Sequence, residues 1–187
     1  MQRRHFLKRA GLGAAGAASL GLAQTAAAAG EPEIKWRLTS SFPKSLDTIF
    51  GAAELLAARV AKLTQNKFQI RVFAGGEIVP GLQALDAVGQ GTVECGHTAS
   101  YYYVGKNKAF AFDTAMPFGL RARQHNAWLY YGGGLALLRE LFQSYGVVNF
   151  PGGNTGTQMG GWFRKEIKSL ADLKGLKMRI PGIVGEI

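Results

Sequence analysis

The sequence predicts an α/β chain with a parallel sheet, and three observations carry that expectation. From Ile34 to Ala99, β-rich apolar segments take turns with segments whose apolar residues recur at helical spacing. A composition of 47% hydrophobic and 18% charged residues belongs to a globular core, not to a disordered or collagen-like chain. Between two later β-rich pieces lies Pro151-Gly152-Gly153-Asn154-Thr155-Gly156, a joint suited to a crossover that bends between lobes.

The first thirty residues read as an address. Arg3, Arg4, Lys8 and Arg9 precede Ala10, no charged residue follows until Glu31, and Ala26-Ala27-Ala28-Ala29 offers an A-x-A-like cleavage site. Arg3-Arg4-His5-Phe6-Leu7-Lys8 resembles the twin-arginine export motif, so residues 1–29 are expected to be a cleaved export signal and the mature chain to be free in the periplasm. An uncleaved N-terminal anchor is the alternative, although the Ala/Gly-rich stretch is a poor membrane span. Gly11-Leu12-Gly13-Ala14-Ala15-Gly16 fits a dinucleotide-loop pattern by letter, but no strand precedes it.

Ile34 to Thr39 reads as the first strand. A helix follows, capped by Ser45 or Asp47, with Ile49, Phe50, Ala53, Leu56, Ala57, Val60 and Leu63 on one face. Phe68 to Phe73 is the second strand, stopped by Gly75-Gly76 and Pro80-Gly81. Leu82, Leu85 and Val88 mark a short helix, and Val93 to Ala99 a third strand with Cys95 and His97 on the face of Val93. Such alternation argues for right-handed βαβ units, with ligands collecting at the carboxyl ends of the strands. Those ends lead into Thr39–Pro43, Ala74–Glu77 and Thr98–Tyr103. Helices are expected at Gln124–Tyr131 and Leu135–Tyr145, strands at Val147–Phe150, Thr157–Phe163 and Leu176–Ile180, and a helical turn near Leu170–Leu173. The division is therefore 1–29 signal, 30–155 first lobe and 156–187 the start of a second. With so few elements in the second lobe, the chain reads as the N-terminal part of a longer protein.

Several function classes lose support. Four of the 22 Lys+Arg lie in the signal and none of the 12 acids does, so the formal charge falls from +10 to +6 in the mature part. The remaining cations are scattered without a dense aromatic-laced run, which argues against nucleic acid and fits gathering of small anions. One Cys excludes an intrachain disulfide framework. No P-loop, Cys-rich cluster, H-E-x-x-H or nucleophile elbow is present.

The candidate site residues carry alternatives. Arg179 offers a planar fork that matches a carboxylate in two parallel hydrogen bonds, yet on its own the better reading is a surface strand arginine paired with an acid. Gln158 follows the glycine joint and could set its amide oxygen on a ligand or a hard cation, or simply hydrogen-bond within a strand. Of Tyr101-Tyr102-Tyr103 at least one must pack in the core, since neighbours cannot all face one cleft; Tyr101 is favoured to wall a pocket. Asn154 and Trp162 are weaker candidates, and Cys95 and His97 are expected to face the core.

From Trp36 to Ile187 the sequence resembles the substrate-binding proteins of TRAP transporters, the tripartite ATP-independent periplasmic systems. The match rests on Gly91-Thr92-Val93-Glu94-Cys95-Gly96-His97-Thr98-Ala99-Ser100-Tyr101-Tyr102, Phe110-Ala111-Phe112 with Met116-Pro117-Phe118-Gly119, and Asn126 to Gly134. It continues through Gly153-Asn154-Thr155-Gly156, Gln158-Met159-Gly160-Gly161-Trp162-Phe163-Arg164, and Leu173-Lys174-Gly175-Leu176-Lys177-Met178-Arg179-Ile180-Pro181-Gly182. Within that family it looks like the branch taking 2-oxo acids and related monocarboxylates, also labelled mannitol/chloroaromatic. The resemblance implies a two-lobed periplasmic binding protein fold with parallel or mixed sheets, here with the second lobe truncated, closing over one small organic acid such as pyruvate. It implies that Arg179 binds the substrate carboxylate and that a Na⁺ bridges substrate and protein at Gln158, with further ligands beyond Ile187. It also implies partners, a small and a large membrane permease subunit. No cofactor is required, and monomer and homodimer both stay open. Asp113 departs from the family pattern, where an apolar or aromatic residue is expected, and should cap a turn at Thr114. The competing readings are an exported enzyme acting on a small organic acid and a structural or adhesion module.

Overall fold

In a computed structural model that describes residues 33–114, 116–156 and 160–180, three strands and five helices follow one another. They are β1 (Ile34–Ser40), α1 (Asp47–Leu63), β2 (Phe68–Phe73), α2 (Ala84–Gly89), β3 (Cys95–His97), α3 (Ala111–Thr114), α4 (Ala122–Tyr131) and α5 (Gly134–Gln143). Short 3₁₀ turns sit at Gly81–Gln83, Ser100–Tyr103, Lys108–Phe110 and Leu170–Leu173. The chain divides into two units, Met1–Ile34 and Lys35–Ile187, and the architecture below is that of the second. Residues 1–29, expected to be an export signal, and Gln158 lie outside the described residues.

The sheet order is β2-β1-β3, with β1 and β3 parallel and Leu38, Thr39 and Ser40 opposite Cys95, Gly96 and His97. The chain is thus α/β with a parallel pair at its sheet, as the alternating pattern predicts. A central strand is covered on both faces, which is why Leu38, Thr39 and Ser40 are all buried although two of them are polar. Trp36 meets Phe68 edge to face at 4.9 Å, joining β1 to β2. Arg37 clasps Glu94 just before β3, Nη2 to Oε1 at 2.7 Å and Nε to Oε2 at 3.2 Å, while the Arg37 backbone N–H adds 2.6 Å to Oε2.

Two expectations for α1 change. Its N-cap is Leu46, with no side-chain cap; Asp47 instead accepts from the neighbouring Thr48 N–H at 2.7 Å. Asp47 still lies in the first turn and Lys62 in the last, the polarity the helix dipole favours. Of the predicted apolar face, Phe50 and Ala53 are buried while Leu56 and Leu63 are exposed, because three strands are narrower than a seventeen-residue stripe.

The main core gathers Leu85, Tyr103, Phe110, Leu129, Leu138 and Phe142. Phe110 is fully buried and packs edge-on against Phe142 at 5.1 Å and Tyr103 at 5.8 Å. The joint between α4 and α5 uses Gly133 at φ 82°, and a Cβ on Gly134 would fall 2.5 Å from the Trp128 ring.

Strands predicted further on do not form. β3 is confined to Cys95–His97 because the N–H groups of Thr92 and Val93 turn to the Ala87 carbonyl, at 2.8 and 3.3 Å. Val147–Phe150, the described part of Thr157–Phe163, and Leu176–Ile180 belong to no strand. A strand exists only through a paired ladder; Val147 N–H goes back to the Phe142 carbonyl, and no described residue ladders with 176–180.

Candidate functional site

Three hydroxyls lock the carboxyl end of the sheet. Ser41 N–H donates to the His97 carbonyl at 2.8 Å, continuing the β1/β3 pairing by one residue. The Ser41 hydroxyl lies 2.6 Å from the Gly81 carbonyl and 2.6 Å from Thr98 Oγ1, which is 2.8 Å from the Tyr103 phenol. A carbonyl can only accept, so the Ser41 hydroxyl is the donor toward Gly81, and it is the donor toward Thr98 Oγ1 as well, sharing its one proton; between Thr98 and Tyr103 either hydroxyl can donate. The phenol oxygen accepts the Leu85 N–H at 3.1 Å. Each group has a partner, and the loops after β1 and β3 are held to the start of α2.

Beside this lock runs an aromatic row. Phe42 stands 5.1 Å from His97 and 6.2 Å from Tyr102, and Tyr102 meets Tyr101 edge to face at 4.6 Å. Tyr103 is the tyrosine committed to the core, at 2% exposure. Phe42, Thr98, Tyr101 and Tyr102 line a broad cleft of about 3490 Å³, and Asn154, Trp162 and Arg179 line the same space. The loop Ala74–Glu77, predicted as a third ligand-facing end, does not line it. Its carboxylate is spent locally: Glu77 accepts from Lys44 at 2.7 Å and from Ala74 N–H at 2.8 Å, which holds its pKa below the usual range.

Burial pushes the Tyr101 phenol up to about 12, with the Tyr102 hydrogen bond and charge adding, while the Arg179 guanidinium pulls it back. Tyr101 and Arg179 are therefore within electrostatic reach. Arg179 and Asn154 are exposed, and Asn154 Oδ1 accepts the Gly156 N–H at 2.7 Å, an Asx-type turn inside the glycine joint. Trp162 is 88% exposed. Cys95 and His97 are half-buried and also border the cleft. His97 Nδ1 lies 3.2 Å from Ser40 Oγ, and burial lowers its pKa.

Behind Tyr101 sits a polar cluster that sequence reasoning missed. Ser100 Oγ donates to the Phe110 carbonyl at 3.1 Å and lies 3.0 Å from Thr114 Oγ1, and Tyr101 N–H donates to Thr114 Oγ1 at 3.1 Å. Asp113, expected to cap a turn, lies inside α3 instead, with its carboxyl hydrogen-bonded to Ser100. Burial raises its pKa, and the Ser100 hydrogen bond and the charge of His125 lower it. The one available signal was Asp113 itself, a charged residue in an apolar motif.

Among the described residues no group of three or more His, Cys, Asp or Glu side chains could hold a metal ion. A hard cation in this cleft would need carbonyl and carboxylate oxygens, and Gln158, the predicted donor, lies outside the described residues. No described helix is long and apolar enough to cross a membrane.

Residues 39–186 match the model of the bacterial extracellular solute-binding protein, family 7. The monocarboxylate 2-oxoacid-binding periplasmic protein of Nostoc sp. is 56% identical over all of this chain and 52% of its own length. A TRAP transporter solute-binding protein from Bordetella bronchiseptica, a mixed-occupancy dimer with calcium and picolinate in one site, is 60% identical. It superposes with a TM-score of 0.81 over 83% of this chain and 46% of its own. One from Pseudoalteromonas atlantica with bound sodium and pyruvate is 45% identical, with a TM-score of 0.75 over 82% of this chain and 47% of its own. The chain thus spans about half the length of the relatives it matches.

Proposed function

From the premise that the chain belongs to the bacterial extracellular solute-binding protein family 7, we propose that it is the ligand-capturing N-terminal portion of a TRAP transporter receptor for a small 2-oxo monocarboxylate such as pyruvate. In this reading residues 1–29 direct twin-arginine export to the periplasm, 30–155 form one lobe and 156 onward begins the other. The receptor is not a catalyst; it hands the acid to the small and large membrane subunits.

The observation that carries the reading is the meeting of Tyr101 and Arg179 at one cleft. Arg179 supplies a two-pronged donor for the carboxylate, Tyr101 a phenol donor for carboxylate or keto oxygen, and Asn154 an amide near the joint. A Na⁺ held through the Gln158 oxygen and the acid would neutralise part of the ligand charge. Ligand contacts from both sides favour the closed arrangement over the open one, and the permease reads that population shift.

In the full-length protein, pyruvate or a longer 2-oxo acid at about a hundred times its Kd raises unfolding free energy by about 2.7 kcal/mol. Arg179→Ala abolishes the gain, as read by thermal unfolding with and without ligand. An undiminished gain in that variant rejects the Arg179 assignment, and consumption of the acid by purified protein would favour an enzyme.

A further inference from the structure

We infer that Thr114 is the positioning residue for Tyr101, fixing the backbone from which the phenol is presented to the cleft. The inference builds on the reading of Tyr101 as a ligand donor. Among the described residues the Tyr101 ring meets one aromatic ring, that of Tyr102, edge-on at 4.6 Å, and it borders the cleft. Where the phenol is presented depends on where the backbone that carries it is held.

That backbone is held by α3. The Thr114 hydroxyl takes the Tyr101 N–H at 3.1 Å and stands 3.0 Å from Ser100 Oγ. The Ser100 hydroxyl donates its proton to the Phe110 carbonyl at 3.1 Å. Ser100 Oγ therefore takes the Thr114 proton, and the Thr114 oxygen keeps a lone pair for Tyr101. The relay runs from Tyr101 N–H through Thr114 and Ser100 to the carbonyl of Phe110, the residue with 0% exposure at the centre of the core. It bridges residues thirteen apart in sequence and ties the cleft wall to the buried core around Phe110. Thr114→Val keeps the shape but removes the partner that fixes the Tyr101 N–H and the Ser100 oxygen.

The test uses the full-length protein labelled with 3-fluorotyrosine, the Tyr101 ¹⁹F resonance being assigned through Tyr101→Phe. In ligand-free Thr114→Val that resonance shifts or broadens, and in Thr114→Ser it returns. Pyruvate affinity by calorimetry falls about five- to tenfold in Thr114→Val, the size expected for one hydrogen bond's worth of positioning, and recovers in Thr114→Ser. In a Tyr101→Phe background Thr114→Val causes no further loss. An unmoved Tyr101 resonance in folded Thr114→Val, or the same fold-loss in both backgrounds, overturns the inference. Thr114→Ala replaces Thr114→Val if the latter does not fold. Should pyruvate perturb neither heat nor resonances in wild type, the functional reading fails, and the ligand-free spectra still decide the role of Thr114.

Discussion

Cys95 shows how a residue's surroundings settle its chemistry. Burial, and secondarily the Glu94 charge, push its thiol up to about 11, and its Sγ reaches toward the Arg37 carbonyl at 3.8 Å. The thiolate is the reactive form, so a rise from 9.0 to about 11 cuts its population at pH 8 by about a hundredfold. The more basic thiolate is also the better nucleophile, so Cys95 should react with a disulfide reagent about tenfold more slowly in the native than in the unfolded protein, and faster as pH approaches 11. Equal rates in the two states would contradict the assigned environment. The same dependence on surroundings limits what sequence reveals. Arg179, Tyr101 and Asn154 could be singled out because their own groups suit a carboxylic acid. Thr114 and Ser100 could not, since a hydroxyl's role appears only when Tyr101 N–H and the Phe110 carbonyl come within reach.

Among elements, the Arg37–Glu94 clasp makes the β1/β3 pairing sensitive to acid. The hydrogen bonds from the Arg37 side chain first, and its backbone N–H second, lower the Glu94 pKa from 4.5 to about 2. A depressed carboxyl pKa stabilises the fold above the unfolded value and loses that contribution as pH falls toward the folded one. The clasp should therefore weaken between about pH 4.5 and about 2. Glu94→Gln should lower the urea midpoint near neutrality and flatten its fall across that window; curves parallel to wild type would show that the pair contributes nothing to pH dependence. The elements themselves were readable where periodicity sufficed: β2 falls at Phe68–Phe73 as the alternating pattern predicts, and α1 runs to Leu63. Leu176–Ile180 has equal β character and remains unladdered, because pairing belongs to two segments at once.

Across the whole molecule, charge distribution should govern how fast an acid arrives. Arg164, Lys165, Lys174, Lys177 and Arg179 border the cleft from the segment after the glycine joint, against Glu166 and Asp172 from the same segment. Walls of one dominant sign raise the local concentration of a small anion, and salt suppresses the effect beyond a Debye length of about 10 Å at 0.1 M. The association rate of pyruvate should then fall about two- to fivefold as choline chloride is raised from about 10 to 200 mM at constant sodium. The dissociation rate should change little, because the Arg179 contact, once made, is short-ranged. Choline separates screening from any role of sodium as a co-ligand. Lys165→Glu with Lys174→Glu, neither of them a proposed ligand contact, should reduce the low-salt rate toward the high-salt value without altering dissociation. A salt-independent association rate in stopped-flow measurements would mean that the +6 of residues 30–187 is solvated surface charge with no bearing on capture.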